Sequence, residues 1–283
     1  MLTRFAPSPT GELHLGHAYS ALLAHDAARR AGGIFRLRID DIDGARSREE
    51  YVEAGLRDLA WLGIDWDGAP LRQSAQLGDY AAALDDLRAR GLVYPCFCTR
   101  ADIAASVAAP HGPAGAVYPG TCRMLGAHAR ELRLADEPHC WRLDMAHAAA
   151  VAGDLAWEEE GQGMRRADPC AHGDIVLARK DAPASYHLAS TLDDAAMGVT
   201  HVVRGADLVA STDVHRLLQA LFGLPTPVYR HHGLIIGPDG KRLAKRDAAA
   251  SLASLRDGGA DGIALAADIL AARLPTGYSL QMP

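Results

Sequence analysis

Two histidines three residues apart, His14 and His17, follow the Pro- and Gly-broken stretch Arg4-Phe5-Ala6-Pro7-Ser8-Pro9-Thr10-Gly11. That arrangement suits phosphate chemistry. A helix beginning there presents unpaired N–H groups and positive potential to an anion. Two imidazoles at its mouth can donate hydrogen bonds to charge developing on a transferring phosphoryl group. Gly16, lacking a side chain, lets a flat base such as adenine lie against the backbone.

A second group is built on sulfur. Cys96-x-Cys98 stands 24 positions before Cys122, with Cys140 and Cys170 further on. Three thiolates and one more donor would make a closed, structural zinc site, with His111 and His128 as ordinary fourth ligands. The plainer alternative is a set of reduced, buried cysteines. The third signal is scarcity. Among 29 Lys and Arg residues only Lys180, Lys241 and Lys245 are lysines, and the last two share one short loop. Where Arg serves almost everywhere else, a lysine marks a place for a compact ammonium.

These residues need elements to position them. Thr3–Ala6 and Ile34–Ile39 read as strands flanking a helix over Gly16–Arg30. Ser47 with Glu50 has capping-box spacing for a helix to about Leu62, and Ser74 is placed to cap one ending at Gly91. After a Cys-bearing stretch, whose Pro110–Pro119 segment reads as an exposed loop, Asp174–Arg179 (strand), Ser185–Met197 (helix), Thr200–Arg204 (strand) and Ser211–Leu221 (helix) restore the alternation. Val228–Ile236 then leads into a turn, and Asp261–Ala272 reads as a final helix. The order predicts an α/β fold with a Rossmann-type, doubly wound parallel sheet. The organisation expected is 1–92 as the first catalytic half, 93–178 as an insertion with a zinc site, 179–240 as the second half, and 241–283 as a loop with short helices.

Composition narrows the class. A net charge of −6 over 283 residues, with 49% hydrophobic and 23% charged residues, excludes a disordered chain and argues against a generic nucleic-acid coat. No apolar run reaches the roughly 20 residues of a membrane span, no signal core opens the chain, and five cysteines make a poor disulfide framework. A cytoplasmic monomeric enzyme with no membrane partner is expected.

The stretch from Arg4 to His17 resembles the opening of class I glutamyl-tRNA synthetases. Arg36-Leu37-Arg38-Ile39-Asp40-Asp41-Ile42-Asp43 is similar to their RxEDxD segment and Val203-Arg204-Gly205-Ala206-Asp207-Leu208 to VxRGxDL. Lys241-Arg242-Leu243-Ala244-Lys245-Arg246 takes the place of KMSKS. The resemblance implies that the α-carboxylate of L-glutamate attacks the α-phosphate of ATP, with Mg²⁺ on the triphosphate. His14, His17 and Lys245 would be catalytic, and Gly16, Arg242, Leu243 and Ala244 would join them around ATP. Arg4, Phe5, Ala6, Pro7, Ser8, Asp40, Tyr186 and Arg204 would hold glutamate. Asp40 stands where the family has Glu, one methylene shorter, so a water would bridge it to the ammonium. Ala244 removes a hydroxyl from the ATP loop, which would slow activation. The resemblance also suggests Tyr118 as the fourth zinc ligand beside Cys96, Cys98 and Cys122.

Only 38 residues follow Lys245, too few for an anticodon-binding domain. This resembles a truncated branch of the family. It implies tRNA-independent activation, then transfer of glutamate to the queuosine base in the anticodon arm of tRNA-Asp. RNA loops with splayed bases suit such a site. The alternatives are a compact synthetase charging the 3′ end of tRNA-Glu, and a non-catalytic tRNA-binding paralogue.

Overall fold

The computed structural model describes residues 1–104, 111–112, 115–240, 243 and 251–282. The chain opens with β1 (Leu2–Phe5), α1 (Leu15–Arg30), β2 (Ile34–Ile39), α2 (Glu49–Trp61), β3 (Leu71–Arg72) and α3 (Leu77–Ala89). β1, β2 and β3 form a parallel sheet in that order. α1 buries Ala18, Ala21, Ala24 and Ala28 against this sheet. Those small side chains bring the helix close enough for the buried Thr3 hydroxyl to donate to the Ala24 carbonyl at 2.7 Å. The alanine excess thus acts through close packing as well as helix propensity.

The middle of the chain comprises β4 (Val93–Cys96), α4 (Arg100–Ala104), the small hairpin β5 (His111–Gly112) and β6 (Gly115–Ala116), α5 (Ala127–Asp136), β7 (Cys140–Leu143), α6 (Met145–Ala152), the hairpin β8 (Ala156–Glu159) and β9 (Gly163–Arg166), and β10 (Val176–Ala178). The last part comprises α7 (Tyr186–Ala196), β11 (His201–Gly205), α8 (Val209–Phe222), β12 (Val228–His232), β13 (Leu234–Ile236), α9 (Leu252–Asp257), α10 (Gly262–Leu270) and β14 (Ser279–Gln281).

The structure departs from the expected pattern in three places. The strand expected at Asp174–Arg179 shortens to β10 and joins an antiparallel sheet, β10-β7-β4, rather than the parallel one. β8 pairs in parallel with β12, so segment 93–178 adds a strand to the second parallel run besides building its own antiparallel sheet. Neither serine cap forms. The Arg48 amide donates to the Pro9 carbonyl at 3.0 Å, so α2 starts one residue late and the buried Ser47 hydroxyl is left unbonded. Ser74 sits in a short 3₁₀ turn, and its amide and hydroxyl both bind the Asp41 carboxylate at 2.8 Å.

The two parallel runs, β3-β2-β1 and β11-β12-β8, meet edge to edge. The Thr200 amide donates to the Leu2 carbonyl at 3.0 Å, and the Leu2 amide to the Thr200 hydroxyl at 2.8 Å. The chain therefore changes winding direction between β1 and β11, and such a switch point opens a crevice beyond the carboxyl ends of the strands. One core lies around α1, β1 and β2 with Leu252, Ala266 and Ile269 from α9 and α10. Another joins α3, β7, α7 and α8.

Candidate active site

The crevice is a cleft of about 400 Å³. Its wall carries Arg4, Phe5, Ala6, Pro7 and Ser8 from the end of β1, Asp40 from the end of β2, Tyr186 at the head of α7, and Arg204 from β11. All eight residues expected around glutamate thus line one space. His17, Ser20, Gly205 and Asp207 line it too, and they also line a neighbouring cavity of about 320 Å³. That second cavity adds His14, Gly16, His232 and Leu243.

A buried ion network floors the first cleft. Arg38, fully buried, clamps Asp40 with Nε and Nη2 at 2.6 and 3.2 Å and donates through Nη1 to Asp194 at 2.7 Å. Arg4 binds Asp194 through Nε and Nη2 at 2.9 and 3.1 Å. Asp193 accepts from Tyr80 and from Gln73. Burial pushes Asp40 above the ordinary carboxylate range despite Arg38. Burial also opposes ionisation of Asp194, but Arg4 and Arg38 on either side hold it below that range. Asp40 is therefore first of all the partner of Arg38. Asp193 and Asp194 carry no motif; their signal is an acidic pair inside a helix with no other carboxylate and no Arg or Lys.

The two arginines expected to grip substrate differ. Arg4 spends two of its N–H donors on Asp194. Arg204 has an acceptor for all five: His231 Nε2 at 3.1 Å, His215 Nδ1 at 3.2 Å, Thr212 Oγ1 at 2.7 Å, the Leu208 carbonyl at 3.1 Å, and Tyr186 Oη at 3.4 Å. The Tyr186 contact is the longest and lies at the cleft. Gly205 leaves room beside it: a Cβ there would come within 2.5 Å of the Asp207 carboxylate and 2.9 Å of the Leu234 side chain, and both would have to shift.

The histidines form a cap on α1. His14 Nδ1 accepts from the Gly16 amide, and His17 Nδ1 accepts from the His14 amide, each at 3.1 Å. Both rings stack with centroids 3.8 Å apart. An accepting Nδ1 leaves the proton of a neutral imidazole on Nε2, so the cap sets the tautomer of both rings. Gly16 has a further reason to be glycine: a Cβ would press on the His14 ring at 3.0 Å. Lys241, Arg242, Ala244, Lys245 and Arg246 lie outside the described residues. Just beyond them, the Leu252 amide donates to the Leu13 carbonyl at 2.8 Å, anchoring α9 beside the cap.

In the middle region, Cys96, Cys98 and Cys122 bring their sulfurs within 4.8 Å of one another. Cys98 and Cys122 are 3.5 Å apart, near the roughly 3.8 Å edge of a tetrahedron with 2.3 Å zinc–sulfur bonds. Tyr118 Oη stands 3.6 Å from Cys98 Sγ and accepts from the Cys122 amide at 2.8 Å. The Phe97 amide points at Cys122 Sγ at 3.4 Å. The donor set therefore fits a metal. Tyr118 is buried, unlike the exposed loop expected around it; the rest of that loop lies largely outside the described residues. Cys140 faces Cys96 across the β4–β7 ladder. A hydrogen bond from Cys140 pulls the Cys96 thiol well below its ordinary range; burial opposes this, and Tyr118 and Arg142 add to it. His128 is exposed on α5, and the His111 side chain lies outside the described residues. Lys180, which no motif explains, donates to the Phe97 carbonyl at 3.2 Å and so ties down the centre of Cys-x-Cys.

Residues 1–269 match the family "tRNA synthetases class I (E and Q), catalytic domain", and the chain belongs to that family. It is 52% identical over 272 residues to the glutamyl-Q tRNA(Asp) synthetase of Rhodobacter capsulatus, covering 92% of this chain and 96% of that protein. It is 46% identical to the protein of that name from Symbiobacterium thermophilum, over 90% of this chain and 81% of the relative. Among solved structures, the glutamate-tRNA synthetase of Elizabethkingia anophelis superposes with a TM-score of 0.73 at 29% identity, covering 87% of this chain and 53% of the other. The chain thus spans about half the length of that solved synthetase. Among the described residues, no helix is long and apolar enough to cross a membrane.

Proposed function

We propose that this chain activates L-glutamate with ATP and transfers it to queuosine in the anticodon arm of tRNA-Asp. The observation that carries this reading is the pair of joined cavities. One is walled by arginines and a tyrosine fit for a dicarboxylic amino acid, and the other opens onto the two-histidine cap. The relatives named glutamyl-Q tRNA(Asp) synthetase support the choice of acceptor.

In this mechanism one carboxylate of glutamate accepts from Arg4, whose pairing with Asp194 leaves N–H groups over, and the Tyr186–Arg204 pair adds donors. Asp40, held by Arg38, presents its remaining lone pairs to the ammonium through a water. The α-carboxylate oxygen attacks the α-phosphorus, forming the mixed anhydride while the bond to pyrophosphate breaks. His14 and His17 donate from Nε2 to the phosphate oxygens, and Lys245 brings its ammonium to the same charge. Mg²⁺, bound to the triphosphate, would supply charge neutralisation for the pyrophosphate leaving group. A ring hydroxyl of queuosine then takes the glutamyl group, and AMP leaves. Cys96, Cys98, Tyr118 and Cys122 would hold one structural zinc ion.

Glutamate-dependent ATP–pyrophosphate exchange without tRNA should be observed, and Lys245→Ala should lower it by about a hundredfold. Labelled glutamate should reach tRNA-Asp only when queuosine is present, and acylation should protect the cyclopentenediol from periodate. Transfer to tRNA-Glu would instead identify a compact glutamyl-tRNA synthetase. No exchange at all would leave a non-catalytic tRNA binder.

A further inference from the structure

We propose that His215 and His231 are positioning residues that aim Arg204 at the substrate carboxylate through two imidazoles locked in opposite tautomers; this rests on the glutamate reading of the cleft. Arginine cannot accept a hydrogen bond, so both ring nitrogens facing Arg204 must carry lone pairs. At His231 that nitrogen is Nε2, 3.1 Å from Arg204 Nε. Its proton therefore sits on Nδ1, which donates to the buried Glu159 carboxylate at 2.6 Å. Glu159 also accepts from the His231 amide at 2.7 Å, which fixes it in turn. At His215 the facing nitrogen is Nδ1, 3.2 Å from Arg204 Nη1, so the proton sits on Nε2 and donates to His187 Nδ1 at 3.2 Å.

Both histidines are almost wholly buried, at 2% and 8% exposure. The brace explains why Arg204 is rigid and what remains for substrate. Thr212 and the Leu208 carbonyl take Nη2, and the histidines take Nε and one hydrogen of Nη1. The other Nη1 hydrogen is left on the long contact to Tyr186. A substrate carboxylate arriving there displaces only the weakest of five bonds and gains the Tyr186 hydroxyl as a second donor. Arg204 pays its ordering entropy during folding rather than during binding. Glu159 and His187, and through them β8 and α7, become part of the glutamate site without touching glutamate.

The two tautomers give a reciprocal test. An Asn amide reproduces the Nδ1 position of histidine and a Gln amide the Nε2 position. H231Q keeps an acceptor for Arg204, while H231N keeps only the donor to Glu159. At 215 the pattern inverts: H215N keeps the acceptor and H215Q loses it. In ATP–pyrophosphate exchange, H231N and H215Q should raise the KM for glutamate by about tenfold or more with a smaller change in kcat. H231Q and H215N should restore most of that loss, while the KM for ATP stays within about twofold of wild type in all four. Equal effects of Asn and Gln at either position, or an unchanged glutamate KM in H231N and H215Q, would overturn the proposal. Histidine ¹⁵N spectra of the unmodified protein test the brace without relying on activity or on any variant folding. Position 231 should show a protonated Nδ1 and position 215 a protonated Nε2; the same tautomer at both sinks it. If the wild-type chain shows no glutamate-dependent exchange, the glutamate reading fails, and the spectra still decide whether the brace exists.

Discussion

The crevice and the cysteine cluster both gather groups that carry charge, yet they settle that charge in opposite ways. In the crevice, Arg4 and Arg38 share Asp194, Arg38 clamps Asp40, and Arg204 finds five acceptors. The protein alone completes that network, so the site is organised before any substrate enters. In the cluster, three sulfurs face one another within 4.8 Å, supported by one amide and one tyrosine. Thiols are weak hydrogen-bond partners, and adjacent thiolates repel unless a cation collects them. The crevice is held by its own ion pairs. The cluster has the donors to hold a metal.

The largest expected effect breaks the crevice side of this contrast. Arg38→Ala leaves Asp40 and Asp194 without their shared partner in a buried place, a loss of about 3–5 kcal/mol. Its urea midpoint should collapse, and a variant within about 1 kcal/mol of wild type would mean the network does not stabilise the fold. Next, Cys122→Ser should take the bound metal from about one zinc per chain to none and remove several kcal/mol of stability. A wild-type melt that ignores chelators would turn the cluster into a set of reduced thiols.

A smaller effect is proton-linked. Burial, the neighbouring His172 and Arg204 push His187 down to about 4. Burial, followed by Arg204, does the same to His231, and His215 also lies well below its ordinary value. An unfolded chain binds a proton at His187 and His231 near pH 6.5, whereas the folded chain resists it until about 4. Stability is therefore lost as pH falls through that window, by about 1.4 kcal/mol per pH unit per histidine. Asp58 acts with the opposite sign: burial raises it to about 6, so the folded state takes up its proton first and gains stability as pH falls between about 4 and 6. His187→Gln should flatten the measured slope by one histidine's share, and a slope identical to wild type would show that His187 does not titrate this way. Last, Cys170→Ser should alter stability by less than about 0.5 kcal/mol and leave the metal content unchanged, because Cys170 is exposed and outside the cluster. Loss of metal there would redraw the ligand set.

The residues proposed to do chemistry were legible because their spacing is local. A two-histidine cap needs only a helix start, and a Cys-x-Cys turn needs only three positions. The serine caps failed because distant partners, the Pro9 carbonyl and Asp41, claimed the backbone at those points. The brace behind Arg204 was equally hidden, since Glu159, His187, His215 and His231 come from four elements with no common motif.

By itself, then, the sequence determined the alternating α/β order, the histidine pair at a helix start, the cysteine set, and the eight residues proposed to surround glutamate. Only the tertiary structure decided that Asp40 belongs to Arg38, that Arg204 enters the cleft with an acceptor for every donor, and that Tyr118 lies buried against the thiols. The physical reason is range. Local patterns select backbone conformation, whereas the sharing of a buried charge depends on which side chains arrive from elsewhere in the chain, since few such groups stay unpaired when buried.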